Sequence, residues 1–172
     1  LARLQDEGFE ISGDLMFGIP GQSMKEWLED LATLLALEPG HASLYGLTFE
    51  PGTLFHQWRE KKRLDLSAED LYDDMYLAAV EQLEQAGIRR YEVSNFARPG
   101  CLSIHNRNYW ERGDYLGIGP GAHSHRGGLR LGNPRQFVRW EQWVLAGCPP
   151  EGQVSDRTGP GEQYTEALWL GL

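Results

Sequence analysis

The segment SIHNRNYWERGDYLGIGPGAHSH, residues 103–125, holds the side chains best suited to chemistry in this 172-residue chain. His105 stands just ahead of the large rings of Tyr109 and Trp110, and two more histidines follow a glycine-rich stretch. Imidazole is the usual protein ligand of haem iron, and aromatic rings suit a flat apolar ligand. Two hypotheses stay open for these histidines: iron ligation, and the commoner role of a hydrogen-bonding side chain.

The two histidines that close the segment, His123 and His125, have the spacing H-x-H. This spacing suits a pair of ligands that clip a metal ion. Two imidazoles without a third ligand nearby make a poor metal site, however. An ordinary hydrogen-bonding role is therefore the alternative for this pair as well.

The glycine-rich stretch GIGPGA, residues 117–122, matches the G-x-G-x-x-A pattern of dinucleotide-binding proteins. That pattern requires a helix that begins inside it, whose N–H groups hold the pyrophosphate. A proline in the middle and the sequence HSHRGG that follows predict no helix here. We therefore expect the glycines to let the backbone approach a neighbour or a ligand closely. An NAD-binding module resting on Gly117, Gly119 and Ala122 is the rival hypothesis, and a helix beginning near Gly121 would restore it.

Asp14 lies in an apolar run, residues 11–17, that predicts a strand buried on both faces. An isolated carboxylate in such a strand is costly unless it is hydrogen-bonded or paired. Near the carboxyl end of a parallel strand, a bound ligand commonly provides the partner of such a carboxylate. The alternative, given equal weight, is that Asp14 caps local backbone N–H groups. The loop GIPGQ that follows carries little side-chain bulk, as a ligand site at a sheet end requires.

The stretch LTFEPGT, residues 47–53, repeats this arrangement after the next predicted strand. Glu50 precedes a Pro-Gly turn, and Thr53 follows the turn. Two adjacent strand ends of this kind predict one shared site. Two ordinary turns are the commoner alternative.

The elements that position these residues follow an α/β order. Residues 11–17 predict a strand, a Ser23–Glu26 capping box begins a helix that reaches Leu37, and residues 42–49 predict the next strand. A β-α-β unit almost always has parallel strands joined by a right-handed crossover. The sequence therefore predicts an α/β fold with parallel strands.

Further elements follow this unit. The periodicity predicts a second helix from Ser67, its N-cap, to Ala86, and a third strand over residues 90–96. A third helix is expected to begin at Asn133, which would cap it. The residues that this third helix is expected to bury are Phe137, Trp140 and Val144. Residues 147–161 are rich in proline and glycine and predict a linker.

Charge and composition exclude several classes of protein. The net charge of −9 argues against a nucleic-acid partner, which clustered Lys and Arg would bind. No apolar run approaches the roughly 18 residues of a transmembrane helix, and no signal peptide leads the chain, so we expect a cytoplasmic protein. Cys101 and Cys148 lie outside any C-x-x-C spacing and form no zinc or iron–sulfur motif by themselves. Because the first residue is Leu1 and both ends fall within helical patterns, we expect a middle piece of a longer protein.

Five blocks of the chain, in this order, resemble one known family: DLMFGIPGQS, LTFEPGT, YEVSNFARPG, HNRNYW and GDYLGIGPGAHS. Together they resemble the oxygen-independent coproporphyrinogen III oxidase family of radical SAM proteins, over nearly the whole chain. Within that family the resemblance is greatest to the HemW group of haem chaperones. Their H-N-x-x-Y-W signature is matched by His105, Asn106, Tyr109 and Trp110.

The resemblance implies a particular fold. The family has a partial (β/α)6 barrel that carries a [4Fe-4S] cluster and S-adenosylmethionine at the carboxyl ends of its parallel strands, followed by a small C-terminal domain. Residues 1–146 are then expected to form the second half of the barrel with the HNxxYW and GPGAHS segment, and residues 162–172 to begin the C-terminal domain after the linker. The family's cluster motif, C-x-x-x-C-x-x-C, is absent, so the cluster ligands are expected to lie before Leu1.

The resemblance also implies site residues. The positions expected to contact S-adenosylmethionine are Asp14, Met16, Thr48 and Glu50, with Asp14 at the ribose hydroxyls. Those expected to contact haem are His105, Asn106, Tyr109 and Trp110, with His105 as the ligand of the haem iron.

The function that follows from the resemblance is that of a haem chaperone. Such a protein binds haem and passes it to haem-acceptor proteins. The alternative within the same family is an oxygen-independent coproporphyrinogen III oxidase, which removes hydrogen from propionate side chains that then lose CO2. Both functions use the same cofactors.

Overall fold

A computed structural model describes residues 7–64 and 71–150, and the backbone of residues 69–70 and 154–157. The chain divides into two compact units, Leu1–Leu102 and Ser103–Leu172. The sequence instead groups residues 1–146 together, and the role of residues 147–161 as a linker stays a prediction. The predicted N-cap Ser67, the helical pattern at Leu1 and the predicted start of a further domain at 162–172 lie outside the described residues.

The first unit contains a four-stranded sheet in the order β1-β2-β4-β3. The strands and helices described in it, in chain order, are β1 Ser12–Phe17, α1 Met24–Leu35, β2 His41–Gly46, α2 Leu54–Glu60, α3 Glu69–Gln85, β3 Arg89–Arg90 and β4 Asn95–Ala97. None of the helices that the structure describes in either unit has both the length and the apolar character needed to span a lipid bilayer.

The predicted β-α-β unit is confirmed. Strands β1 and β2 pair in parallel, with Asp14 beside Ser43. The capping box at the start of α1 is formed on both sides: the Ser23 hydroxyl accepts from the Glu26 N–H (3.3 Å), and the Glu26 carboxylate accepts from the Ser23 N–H (2.8 Å). These two bonds satisfy N–H groups that the first turn of a helix leaves without partners. The helix therefore begins at the residue that the sequence indicates.

The predicted strand over residues 90–96 is wrong, because this stretch contains a chain reversal. β3 and β4 pair antiparallel with each other, and β4 pairs antiparallel with β2. Between them the Glu92 carboxylate accepts from the Ser94 N–H (2.9 Å) and from the Asn95 side-chain amide (2.6 Å). Asp and Glu side chains that bind nearby backbone N–H groups stabilise turns. The sheet is therefore mixed, with one parallel pair, and the expected all-parallel arrangement does not hold for the strands described here.

The core of the first unit lies between this sheet and the helices α1 and α3. Its largest fully buried side chains include Trp27, Leu31, Leu44, Met75, Leu83 and Phe96. The indole N–H of Trp27 donates to the Met75 carbonyl (2.8 Å), so the bulkiest core residue also has its polar atom satisfied. Of the face predicted for the second helix, Ala79 and Leu83 are fully buried, and Tyr72 and Tyr76 pack against the core in part.

The second unit contains a three-stranded antiparallel sheet in the order β5-β6-β7. The elements described in it are α4 Ile104–Trp110, β5 His123–Arg126, β6 Leu129–Gly132, α5 Phe137–Leu145 and β7 Val154–Arg157. Strand β7 falls inside the stretch that the sequence predicts as a linker. Its backbone pairs with β6, from Gly132 beside Val154 to Leu129 beside Arg157.

Two expectations about helix α5 are wrong. The helix begins at Phe137, four residues after Asn133, and the Asn133 side chain does not cap it. The amide of Asn133 is buried and donates to the carbonyls of Gly117 (3.3 Å) and Gly119 (2.9 Å), so it holds the glycine-rich loop instead. Phe137 is 61% exposed and Val144 is 41% exposed, and Trp140 is half-buried.

Candidate functional site

The sheet of the first unit has one apolar and one polar side. Side chains alternate along a strand, so Ser12, Asp14 and Met16 share one side of β1. The other side packs against the helices, with Phe17 in the core. Asp14 is exposed, so the prediction of a strand buried on both faces is wrong. The carboxylate therefore needs no buried partner and is accessible to a ligand.

The polar side continues across the next two strands. In the parallel register Ser12, Asp14 and Met16 stand beside His41, Ser43 and Tyr45, and Asn95 stands beside Ser43 on β4. We call these seven residues the polar face. Of them, His41, Ser43 and Asn95 are buried, whereas Tyr45 and Met16 are exposed.

The buried members of the polar face are joined by hydrogen bonds. The two ring nitrogens of His41 are bonded to the Ser12 hydroxyl (3.0 Å) and the Tyr91 hydroxyl (2.8 Å). The Ser43 hydroxyl donates to the Asn95 side-chain carbonyl (3.3 Å). This network is not predicted by the sequence analysis. Its signal in the sequence is the set of polar side chains at alternate positions of the stretch HASLYG, residues 41–46.

The buried imidazole of His41 gives the fold a pH dependence. Burial lowers the pKa of His41 from its usual 6.5, and the nearby Asp14 carboxylate opposes this effect. The unfolded chain therefore binds a proton at His41 more readily than the folded chain. The contribution of neutral His41 to the free energy of unfolding is present above the unfolded pKa and is lost as the pH falls below 6.5. We expect urea unfolding to give a smaller free energy of unfolding at pH 5.5 than at pH 8.

His41→Gln isolates this effect from that of the other histidines. Glutamine retains hydrogen-bonding groups but does not titrate, so the difference in stability between pH 8 and pH 5.5 should shrink in the variant. An equal loss of stability on acidification in both proteins would show that His41 does not carry the dependence.

Thr48 and Glu50 lie in the loop that follows β2, and both are exposed. Because β1 and β2 are parallel and end together, with Phe17 beside Gly46, this loop and Met16 lie toward the same edge of the sheet. Asp14 is farther inside, at the third of the six residues of β1. The loop also forms an ordinary turn, since the Thr53 hydroxyl donates to the Glu50 carbonyl (2.7 Å) and accepts from the His56 N–H.

In the second unit, His105 lies on the short helix α4. The helix is capped by Ser103, whose hydroxyl accepts from the Asn106 N–H (3.2 Å). The His105 ring is exposed and stands nearly perpendicular to the Tyr109 ring, with centroids 4.7 Å apart at 83°. Among the residues that the structure describes, neither ring nitrogen of His105 has a hydrogen-bond partner.

The four predicted haem residues fall on α4 as two pairs spaced four apart. Residues at this spacing lie on the same side of a helix, so His105 shares a side with Tyr109, and Asn106 shares a side with Trp110. Tyr109 is 37% exposed, whereas Asn106 and Trp110 are half-buried and make contacts of their own. The helix therefore presents His105 and Tyr109 as its accessible pair.

The H-x-H pair does not form a metal clip. His125 is buried and its Nδ1 donates to the Gly113 carbonyl (3.1 Å), so the hydrogen-bonding alternative describes this residue. His123 is exposed, and its ring lies against Gly132. Within the described ranges, no group of three His, Cys, Asp or Glu side chains is placed to hold a metal ion.

The glycine-rich stretch is a site of close backbone packing. No helix begins near Gly121, and strand β5 starts at His123. A Cβ atom on Gly117 would lie 2.1 Å from the His123 carbonyl oxygen. The structure thus removes the NAD-binding hypothesis and confirms that Gly117 lets the backbone approach a neighbour closely.

The chain is similar to known proteins over most of its length. This chain is 39% identical over 163 residues to the haem chaperone HemW of Synechocystis, and the match covers 92% of this chain and 39% of the relative. It is 38% identical over 171 residues to HemW of Bacillus subtilis, covering 99% and 45%. The mitochondrial radical S-adenosyl methionine domain-containing protein 1 of Mus musculus is 48% identical over 122 residues, covering 71% and 27%. The chain spans less than half the length of these curated relatives, and no family model matches it.

Among solved structures, coproporphyrinogen III oxidase (HemN) of Escherichia coli, a radical SAM enzyme, has the same fold. The TM-score is 0.78 at 19% identity, and the match covers 100% of this chain and 42% of that protein. The structural similarity shows the fold, and the sequence identity to the relatives shows the family. The chain therefore belongs to the radical SAM family of the HemW haem chaperones, and it shares its fold with coproporphyrinogen III oxidase (HemN).

Proposed function

We propose that the protein binds haem and passes it to acceptor proteins, with His105 as a ligand of the haem iron. The observation that carries this proposal is the state of the His105 ring: it is exposed, and neither nitrogen is hydrogen-bonded within the described part of the chain. The relatives of this protein that are named haem chaperones match the chain along nearly all of its length. The acceptors and the cytoplasmic location expected from the sequence stay predictions.

The histidines of the chain differ in their fitness for this role. An iron ligand offers an imidazole nitrogen that is accessible and not already used. His41 and His125 are buried, and both ring nitrogens of His41 are hydrogen-bonded. His56 is half-buried, with one ring nitrogen bonded to the Phe49 carbonyl. His105 and His123 are the two exposed histidines, and the accessible ring of Tyr109 packs against His105 along α4.

Titration of the protein with haem, followed through the Soret band, tests this assignment. His105→Ala is expected to weaken haem binding at least about tenfold, since each 1.4 kcal/mol of lost ligation is a factor of ten. The Soret band of the variant should also lack the shift that a bound imidazole produces.

His123→Ala is the matched control, because it removes the other exposed histidine of the same unit. Its haem affinity and Soret maximum should equal those of the unmodified protein. Full binding by His105→Ala together with a loss in His123→Ala would transfer the role to His123. Full binding by both variants would refute ligation by either residue.

We further propose that S-adenosylmethionine contacts the polar face and the loop after β2. The chemistry of the donors fits, since an exposed carboxylate accepts hydrogen bonds from a pair of ribose hydroxyls. Asp14 offers this carboxylate, with Met16, Thr48 and Glu50 exposed toward the edge of the sheet. The described residues offer no comparable set of ligands for a [4Fe-4S] cluster, so no residue of this chain is assigned to one.

The alternative activity, oxidation of coproporphyrinogen III, is supported only by the fold shared with HemN. Fold alone does not determine function, which depends on the residues of the site. The relatives at 38–39% identity named as haem chaperones favour the first proposal.

A further inference from the structure

Four aromatic rings of the second unit form a continuous chain of contacts. His105 stands edge to face with Tyr109 (4.7 Å, 83°), and Tyr109 stands edge to face with Tyr115 (4.4 Å, 65°). Tyr115 in turn lies stacked on His125 at 6.0 Å and 29°. We call these four residues the ring chain. It joins the proposed iron ligand on α4 to a strand of the sheet.

The ring chain is exposed at one end and buried in the sheet of the second unit at the other. His105 is exposed, Tyr109 is 37% exposed, Tyr115 is half-buried and His125 is 7% exposed. The buried end is held by three hydrogen bonds. The backbones of Tyr115 and His125 exchange two bonds of 2.9 and 3.0 Å, and the His125 Nδ1 donates to the Gly113 carbonyl.

Helix α4 needs such an anchor. It has seven residues and none of them is buried, so little apolar burial holds it in place. Helices this short are marginal by themselves, because nucleation is costly and few hydrogen bonds follow. Asn108 ties the end of the helix to the backbone around Asp114, and the Tyr109 ring provides the second link, to Tyr115.

We propose that Tyr115 is a positioning residue that orients the His105 ring through Tyr109, with His125 as its anchor in the sheet. This inference rests on the proposed function only for its effect on haem. The orientation of His105 itself is a property of the protein without haem. Edge-to-face contacts favour one relative ring geometry over others, so each link restricts the next ring.

The ring chain is tested first without haem. Nuclear magnetic resonance of the histidine side chains in the complete protein should show the His105 ring resonances shifted in both Tyr115→Leu and Tyr109→Leu, because the ring currents and the orientation change. Tyr115→Phe keeps the ring and should leave the His105 resonances in place. Leu116→Ala, next to Tyr115 but 80% exposed, is the matched control and should leave them unchanged as well.

Haem titration of the same variants then tests the consequence. Tyr115→Leu should weaken haem binding about two- to tenfold, the range that one edge-to-face contact supports, and Tyr115→Phe should restore it. Unshifted His105 resonances in Tyr115→Leu overturn the inference, whereas Tyr109→Leu shows the size of the shift when the ring in direct contact with His105 is lost. If Tyr115→Leu does not fold, Tyr115→Met decides, since it also removes the ring but keeps a flexible apolar side chain in its place. If His105→Ala binds haem normally while the resonances shift in the tyrosine variants, the proposed function fails and the positioning by Tyr115 stands.

Discussion

Trp27→Ala is expected to lower the free energy of unfolding by about 3–5 kcal/mol, the range for removing a large aromatic side chain from a core. Trp27 is fully buried between α1 and the sheet, with its ring 5.6 Å from that of Phe17. The substitution leaves a cavity and removes the hydrogen bond to the Met75 carbonyl. Because whole domains are stable by only about 5–15 kcal/mol, much of the stability would be lost. Urea unfolding followed by far-ultraviolet circular dichroism measures the change.

Two further variants separate the causes of that loss. Trp27→Phe keeps much of the ring but removes the indole N–H, so the loss should be smaller, about 1–2 kcal/mol. Leu77→Ala removes a large apolar side chain that is 62% exposed on α3, and its effect should stay within about 0.5 kcal/mol. A loss below about 1 kcal/mol in Trp27→Ala would contradict the central place of this residue in the core.

Local signals predicted the first half of the fold well. The capping box at Ser23 and the spacing of Trp27, Leu31 and Leu34 are written within one helix, so the sequence alone gives α1 and its buried side. The parallel pairing of β1 with β2 follows from the helical crossover that joins them. The cap and the helix spacing are local features, and the crossover joins elements that are neighbours in the sequence.

Two features that the sequence did not predict have different causes. The chain reversal at Glu92 is local, since its carboxylate binds groups two and three residues later, on Ser94 and Asn95, but the strand propensity of this stretch conceals it. Asn133 has the pattern of a helix cap, but its amide binds the carbonyls of a loop 14 to 16 residues earlier. The sequence pattern shows that Asn133 is suited to cap a helix, but a tertiary contact decides which groups its amide binds.

The candidate site divides in the same way. The motif around His105 identified the chemical groups, since residue types and spacing are visible in the sequence. It did not reveal that Tyr115, six residues beyond Tyr109, lies in ring contact with that residue of α4, or that His125 in turn stacks on Tyr115. Nor did it reveal that His41 is buried and bonded on both ring nitrogens. Contacts between elements require the fold, because spacing in sequence does not give distance in space.

Gly117→Ala is expected to lower the free energy of unfolding of the second unit by about 2–3 kcal/mol, toward the upper part of the usual range for overpacking. The new methyl group would lie 2.1 Å from the His123 carbonyl oxygen and 2.6 Å from its carbon. These are backbone atoms of β5, which cannot turn away as a flexible side chain does. Relief therefore requires the segment that contains Tyr115 to move away from the strand. Urea unfolding of the variant measures the loss.

The expected loss of stability comes from a steric clash and not from an unfavourable backbone conformation, because Gly117 is not among the glycines with positive φ. Moving the segment outward would also break the bond from the Gly117 N–H to the Ser124 hydroxyl (2.9 Å) and strain the bridge between Tyr115 and His125. Leu116→Ala changes the adjacent residue, whose side chain is 80% exposed, and should alter stability by no more than about 0.5 kcal/mol. Equal stability of Gly117→Ala and Leu116→Ala would mean that β5 accommodates the methyl group, and close backbone packing would no longer explain a glycine at this position.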